Sequence, residues 1–306
     1  MFDFIRLVYG LFVVPYTSHF GYHVSADVFV KDTNGVPITN AVVKIVSESS
    51  CSLAINSRAP DYDTYAAKTG TNGIAVVEFR CPTGRFEYSV TAPGYYTERK
   101  KGPDFKTRES LLSFDLVERQ KRLEQVLYKI RNPIKMVEHS ERENPRMPMD
   151  NGTFGFDLQK SDWLPPYGMG DVADFWIDYK VVYENGGKET YHARMYFTDP
   201  GAGFYVRAKN KSYRFWSDYR ADANAHYERE RSSFDAVNTS GGRKDIIGDG
   251  EYLVLRTRTK VDKDGKIVSA HYSRMFGTVG FSTRFYTGGY SFNPHPNDTN
   301  LESDRY

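Results

Sequence analysis

The chain crowds five aspartates into one stretch, Asp157, Asp162, Asp171, Asp174 and Asp178. Clustered carboxylates are the raw material of general acid–base chemistry. A hydrolase would need two of them converging on a cleft about 5–10 Å apart, one with a raised pKa. Acidic loops and strand ends are commoner than such dyads, so a structural role is the expected reading of the cluster. Of the seven histidines, His192, His226, His271 and His295 lie in the second half, with Asp298 and Glu302 close to His295. Their spacing matches no metal-ligand signature, and scattered surface or hydrogen-bonded histidines are expected. Asp262-Lys-Asp264-Gly265 copies the opening of a calcium loop but lacks its glutamate at the twelfth position. It stands between two strand patterns and reads as a hairpin turn. Phosphate-cradling, nucleophile-elbow and HExxH motifs are absent. No catalytic residue, metal or cofactor is expected.

The segment with a recognition signature is Asp157-Leu-x-x-x-Asp162-Trp163-Leu-Pro-Pro166-Tyr167-Gly168. It sets an indole and a phenol beside prolines and glycines on a loop, where binding surfaces sit. Asp162, Trp163, Tyr167 and, further on, Trp216 are the candidate binding residues. The alternative is a loop fastened to the core by its tryptophan.

These residues must be held by β structure. Aromatic residues make up 15 % of the 306, with 23 Tyr and 20 Phe, types that favour pleated, half-buried surfaces. A length of 306 suits two domains, and 26 % charged with 40 % hydrophobic residues suits a folded chain. A formal charge of +2 with dispersed Lys and Arg argues against a nucleic-acid partner.

From Val24 the pattern alternates with period two. Asn34-Gly35, Asn72-Gly73 and Pro93-Gly94 break it into short strands, the spacing of a sandwich. Cys51 and Cys81 both fall in this part and are a candidate inter-strand disulfide. Ahead of it, Leu7–Val14 is an apolar run following Arg6, and Val24-Ser25-Ala26 offers a small-residue cleavage site. Residues 1–26 therefore read as a signal peptide or N-terminal anchor, and the protein as exported: periplasmic, cell-surface or extracellular. No later segment is long and apolar enough for a membrane span in the mature chain. Asp32-x-x-Gly35-x-Pro37-x-x-x-Ala41-x-Val43, Thr69-x-x-Asn72-Gly73-x-Ala75 and Tyr88-x-Val90-x-Ala92-x-Gly94-Tyr95 together resemble the carboxypeptidase regulatory-like (prealbumin-like) domain. The resemblance implies a β-sandwich over 27–118, serving as an accessory module of an exported protein.

Residues 119–150 change character. Leu123, Val126, Leu127 and Ile130 keep a helical spacing, a strand running on from Leu116 is the alternative, and Glu138–Asp150 reads as linker. Residues 151–306 form a second β-rich, antiparallel, sandwich-like domain. Its clearest hairpin joins Tyr252–Val261 to Ile267–Met275, whereas Ala221–Lys244 reads as a polar excursion. Asn132-Pro133-Ile134-x-Met136, Gly155-Phe156-Asp157-Leu158 and Asn293-Pro-x-Pro-Asn297-Asp298-x-Asn300-Leu301-Glu302 resemble an uncharacterised family of exported bacterial proteins, which implies no activity.

The fold class is thus mainly β. The expected function is a non-enzymatic structural or binding protein of the bacterial envelope, its C-terminal loops recognising a carbohydrate or an envelope protein. The alternatives are a hydrolase built on the acidic cluster and an architectural protein without a ligand.

Overall fold

The computed structural model describes residues 22–48, 62–81, 85–102, 118–143, 145–184, 188–210, 215, 217–236, 243–248 and 250–304. The chain is almost entirely β. It divides into two compact units, Met1–Ile130 with Lys211–Phe215, and Arg131–Asn210 with Trp216–Tyr306.

The first unit contains β1 (Tyr22–Asp32), β2 (Val42–Glu48), β3 (Tyr62–Lys68), β4 (Ile74–Cys81), β5 (Phe86–Thr91), β6 (Glu98–Lys101) and β7 (Glu118–Leu127). They form two sheets, in the orders β4-β1-β7 and β3-β2-β5-β6. Alternation decides which face is buried. Val24, Ala26, Val28 and Val30 of β1 meet Val43 and Ile45 of β2, Ala75, Val77 and Phe79 of β4, and Tyr88 and Val90 of β5 in one core. Each fully buried Val, Ile or Phe side chain among them contributes about 1.5–3 kcal/mol. Asn72 and Gly73 form the tight turn into β4, with Gly73 at φ +74.

Three expectations change here. Glu118–Leu127, open to helix or strand in the sequence, is a strand parallel to β1, from His23↔Glu118 to Asp32↔Leu127. Val24-Ser25-Ala26 is not an exposed cleavage site. It lies inside β1, with Val24 and Ala26 fully buried, so a cut after Ala26 would strip the core; residues 1–21 lie outside the described residues. The expected disulfide is not what Cys81 makes. This residue is buried, and its Sγ donates to the Arg85 carbonyl oxygen at 3.3 Å, a thiol's bond. Cys51 lies outside the described residues.

The second unit opens with β8 (Val137–Ser140), a 3-10 turn (Glu141–Glu143), β9 (Asn151–Asp157), β10 (Asp162–Trp163), β11 (Phe175–Glu184), β12 (Lys188–Tyr196), β13 (Gly203–Ala208) and β14 (Glu230–Ala236). It continues with β15 (Arg243–Lys244), β16 (Glu251–Val261), β17 (Ile267–Phe276), β18 (Gly280–Phe281), β19 (Phe285–Tyr286) and β20 (Gly289–Phe292). A six-stranded sheet, β10-β9-β11-β12-β14-β15, and a five-stranded one, β13-β16-β17-β20-β8, share a core. Phe156, Phe175, Ile177 and Met195 come from the first, and Phe204, Leu253, Leu255, Met275 and Tyr290 from the second. The alternate side chains of the five-stranded sheet, Tyr205, Tyr252, Val254 and Tyr272, bury against Ala221, Tyr227 and Leu301. Both faces of that sheet are thereby covered.

Val137–Ser140, which runs into the stretch read as linker, is an edge strand paired to β20. Glu230–Ala236, within the stretch read as an excursion, pairs along β12. The sequence ERSSFDA lacks an apolar alternation because its neighbours supply the apolar side chains. The Pro/Asn-rich tail is irregular but anchored: the Glu302 carboxylate accepts from Arg131 N (2.9 Å) and Asn132 N (2.8 Å), and Asn300 Nδ2 donates to Asn132 O (2.6 Å). Asp262 Oδ1 accepts from Asp264 N and Lys266 N (2.9 Å each), closing the β16–β17 hairpin.

Candidate functional site

The loop between β9 and β11 is built around two carboxylates. Asp157, the last residue of β9, points its Oδ1 at the backbone N–H of Gln159 (2.9 Å) and Lys160 (3.0 Å). Its Oδ2 accepts from Asp171 N (2.9 Å) and Val172 N (3.2 Å). One side chain thus ties the start of the loop to its end. Asp162 repeats the device on a smaller scale, with Oδ1 on Trp163 N and Oδ2 on Met169 N, both 2.8 Å. Backbone donors that would otherwise face solvent are satisfied inside the loop.

Arg258 fastens this loop to the opposite sheet. The β16–β17 register slips between Thr257 and Lys260, a bulge that places Arg258 in the left-handed region at φ +49. Bulges redirect a side chain in this way, and a non-glycine residue there is strained. The guanidinium forks onto Asp174 (Nε–Oδ1 and Nη2–Oδ2, 2.9 Å each) and also reaches Asp157 Oδ1 (2.8 Å) and Gln159 Oε1 (2.6 Å). It lies 4.9 Å over the Phe292 ring, against which the imidazole of His271 also stacks (5.4 Å).

The charges follow from this geometry. Burial opposes ionisation of Asp157, but the N–H groups of Asp171, Lys160 and Val172 and the Arg258 guanidinium outweigh it and hold its carboxyl below the ordinary range. Burial pushes Asp174 up against the same guanidinium; its two oxygens accept charge-assisted bonds that require the carboxylate. Burial, followed by Arg258, pushes His271 down, although its bond to Asn293 O pulls the other way.

The acidic cluster is therefore divided among structural tasks. Asp157 and Asp174 converge, but on Arg258 rather than on a cleft, and Asp174 has no exposed side chain. Asp171 pairs with Lys160 (2.9 Å), and Asp178 pairs with Arg194 (2.5 Å) and Thr153 (2.8 Å). Acid–base work needs a carboxyl free to meet substrate; the oxygens of Asp157 and Asp174 are occupied by protein donors. Among the described residues, no three His, Cys, Asp or Glu side chains are grouped to hold a metal ion.

Trp163 is not a surface ring. It is 3 % exposed, edge-on to Phe154, Phe156 and Phe285, and its Nε1 donates to Arg146 O at 2.9 Å. Its large apolar area finds more to bury in the core than at the loop tip. Tyr167, by contrast, is 43 % exposed, its ring set perpendicular to Phe154 at 5.1 Å. Trp216 lies outside the described residues.

The structure adds two residues that sequence reasoning missed. Met169 is 78 % exposed and Val172 43 %, so the loop offers three apolar side chains to solvent. A Cβ on Gly168 would stand 2.4 Å from Trp163 O, and one on Gly170 2.9 Å from the Asp157 Cβ. Those glycines let the backbone press onto its own carboxylates, leaving Met169 outward between them. The Gly-Met-Gly spelling was the available signal.

No family model matches the chain, and no curated protein matches it. Solved structures give weak likenesses. The 3-chlorocatechol 1,2-dioxygenase of Rhodococcus opacus is 15 % identical over 36 % of this chain and 60 % of that one, with a TM-score of 0.26; the chain spans less than two thirds of that enzyme. The major pilin subunit of Bacillus cereus is 11 % identical over 80 % of this chain and 66 % of its own, TM-score 0.24. A streptococcal ancillary pilin is 11 % identical over 92 % and 63 %, TM-score 0.22. At these scores the likenesses carry no argument about fold or function.

Proposed function

We propose that the protein is an exported, non-enzymatic structural and binding component of the bacterial envelope. In this reading the Asp157–Asp174 loop is its recognition surface and an envelope protein its ligand. The first unit, with its resemblance to the prealbumin-like domain, serves as support. The observation that carries the reading is the exposure of Tyr167, Met169 and Val172 on a loop whose backbone is fixed by Asp157 and Asp162. Apolar side chains on a rigid frame bind with little ordering loss, and three exposed on one loop suit an interaction site. A protein suits it better than a sugar. A thioether, an isopropyl group and a phenol offer few hydrogen bonds to hydroxyls, and both Asp162 oxygens are already engaged.

The test is photo-crosslinking in the producing cell, with the reactive side chain placed at Met169 or, as an exposed control, at Val268, which is 52 % exposed. A discrete protein adduct is expected at 169 and not at 268, and Tyr167→Ala should weaken it. Equal labelling at both positions, or none at 169, would contradict the reading.

A further inference from the structure

Among the described residues, one sheet of the first unit ends on a strand whose outer edge is open. In the β4-β1-β7 sheet, β4 pairs among the described residues with β1 alone. Val30 N donates to Gly73 O at 2.8 Å, which fixes the alternation of the antiparallel ladder. Odd-numbered residues of β4 bond to β1, and even-numbered ones turn their N–H and C=O outward. Ile74 is satisfied by its turn, its N donating to Asn72 Oδ1 and its O accepting from Gly70 N, both at 3.0 Å. Arg80 O accepts from Ser47 Oγ (2.6 Å) and keeps a second lone pair. Among the described residues nothing on the outer side reaches the N–H or C=O of Val76 or Glu78.

The side chains on the outward face are Ile74, Val76, Glu78 and Arg80, all exposed, Val76 at 54 %. Neither Glu78 nor Arg80 forms an ion pair or side-chain hydrogen bond among the described residues. An open edge of this kind is a template for strand addition. The order of the two charges selects the partner. When such a strand meets its own copy antiparallel, centred on Phe79, each Glu78 stands opposite the other chain's Arg80.

We propose that the free edge of β4 pairs antiparallel with β4 of a second copy of this chain, Glu78 of each facing Arg80 of the other. The pairing supplies backbone partners for Glu78 and Arg80 in both chains and two reciprocal cross-strand charge pairs, the favourable arrangement in a sheet. It forms an isologous, closed contact that leaves no further β4 edge for growth.

Sedimentation equilibrium of the full chain tests it. The wild type is expected to dimerise with a Kd at or below about 100 µM, weakening several-fold as salt rises. Arg80→Glu sets like charges opposite each other and should weaken dimerisation at least about tenfold. The exchanged pair Glu78→Arg with Arg80→Glu should restore it, which a merely structural role of either residue would not do. Both sites are exposed, so circular dichroism should find each variant folded; Val76→Lys is the second route to a monomer should one fail. A wild type that stays monomeric at every concentration overturns the proposal, the two charges then acting as guards of the edge. So does a dimer insensitive to Arg80→Glu, or an exchanged pair that does not recover.

Discussion

Arg258 and Asp174 face each other as a two-bond fork, Nε to Oδ1 and Nη2 to Oδ2, both 2.9 Å. One residue sits in a bulge of β16 and the other just ahead of β11, so this ion pair joins the two sheets of the second unit. The Asp174 side chain is fully buried and that of Arg258 is 16 % exposed. A second carboxylate, Asp157, shares the guanidinium and organises the candidate recognition loop. The stability of the sandwich and the shape of the loop therefore depend on one cation.

Removing that cation should be costly. Arg258→Met leaves two buried carboxylates without a counter-charge, a loss of about 3–5 kcal/mol, read as a fall in the urea midpoint. Arg258→Lys keeps the charge but not the fork and should fall between. Adding Asp174→Asn to Arg258→Met should recover part of the loss, because the neutral amide no longer demands a counter-charge. Independent, additive losses would show that the pair is not coupled.

Two aromatic residues of the loop should behave oppositely. Trp163→Ala opens the core and should cost about 3–5 kcal/mol, whereas Tyr167→Ala and Met169→Ala should each change stability by about 0.5 kcal/mol or less, as exposed positions do. Thermal melts of the three variants check this. A destabilised Met169→Ala would mean that its side chain packs rather than projects.

Acid should weaken the fold through His271. It faces Arg258, Asp174 and His295, and burial and Arg258 hold its pKa below the ordinary 6.5. Below pH 6.5 the unfolded chain takes up a proton there that the native state refuses. Stability therefore falls as pH drops from 6.5 to the depressed native value, by at most about 1.4 kcal/mol per pH unit, and this contribution is flat below it. Asp157, depressed likewise, loses its contribution only as pH falls below the ordinary carboxylate range. His271→Gln should remove the upper slope and leave the lower one. Asp174 is common to both proteins, so the difference curve isolates His271; parallel melting curves from pH 7 to 5 would contradict the assignment.

Much of the fold was legible in the residues, and the reasons are specific. Val24, Ala26, Val28 and Val30 alternate because one face of β1 is buried, and Asn72-Gly73 spells the turn into β4. β3 (YDTYAAK) and β14 (ERSSFDA) carry no such pattern, since their mostly exposed or polar residues lean on neighbouring strands. In Glu118–Leu127 a helical spacing gave way to pairing with β1, tertiary context overriding period. The loop was legible as a segment, but its parts were not. Nothing near Arg258 announces that it closes on Asp157 and Asp174 far upstream, because that contact is made by a bulge. Trp163 and Tyr167 read alike in sequence and part company only when one finds Phe154, Phe156 and Phe285 around it.

The central claim is that the aspartates between β9 and β11 hold a loop in shape for recognition rather than perform chemistry. Amide hydrogen exchange tests it most directly. The N–H groups of Gln159, Lys160, Asp171 and Val172, all donating to Asp157, should be protected well beyond an open loop. Asp157→Ala, which removes both acceptor oxygens, should release all four together while β17 stays protected. Exchange of those four amides at the rate of an unstructured peptide in the wild type would contradict the account.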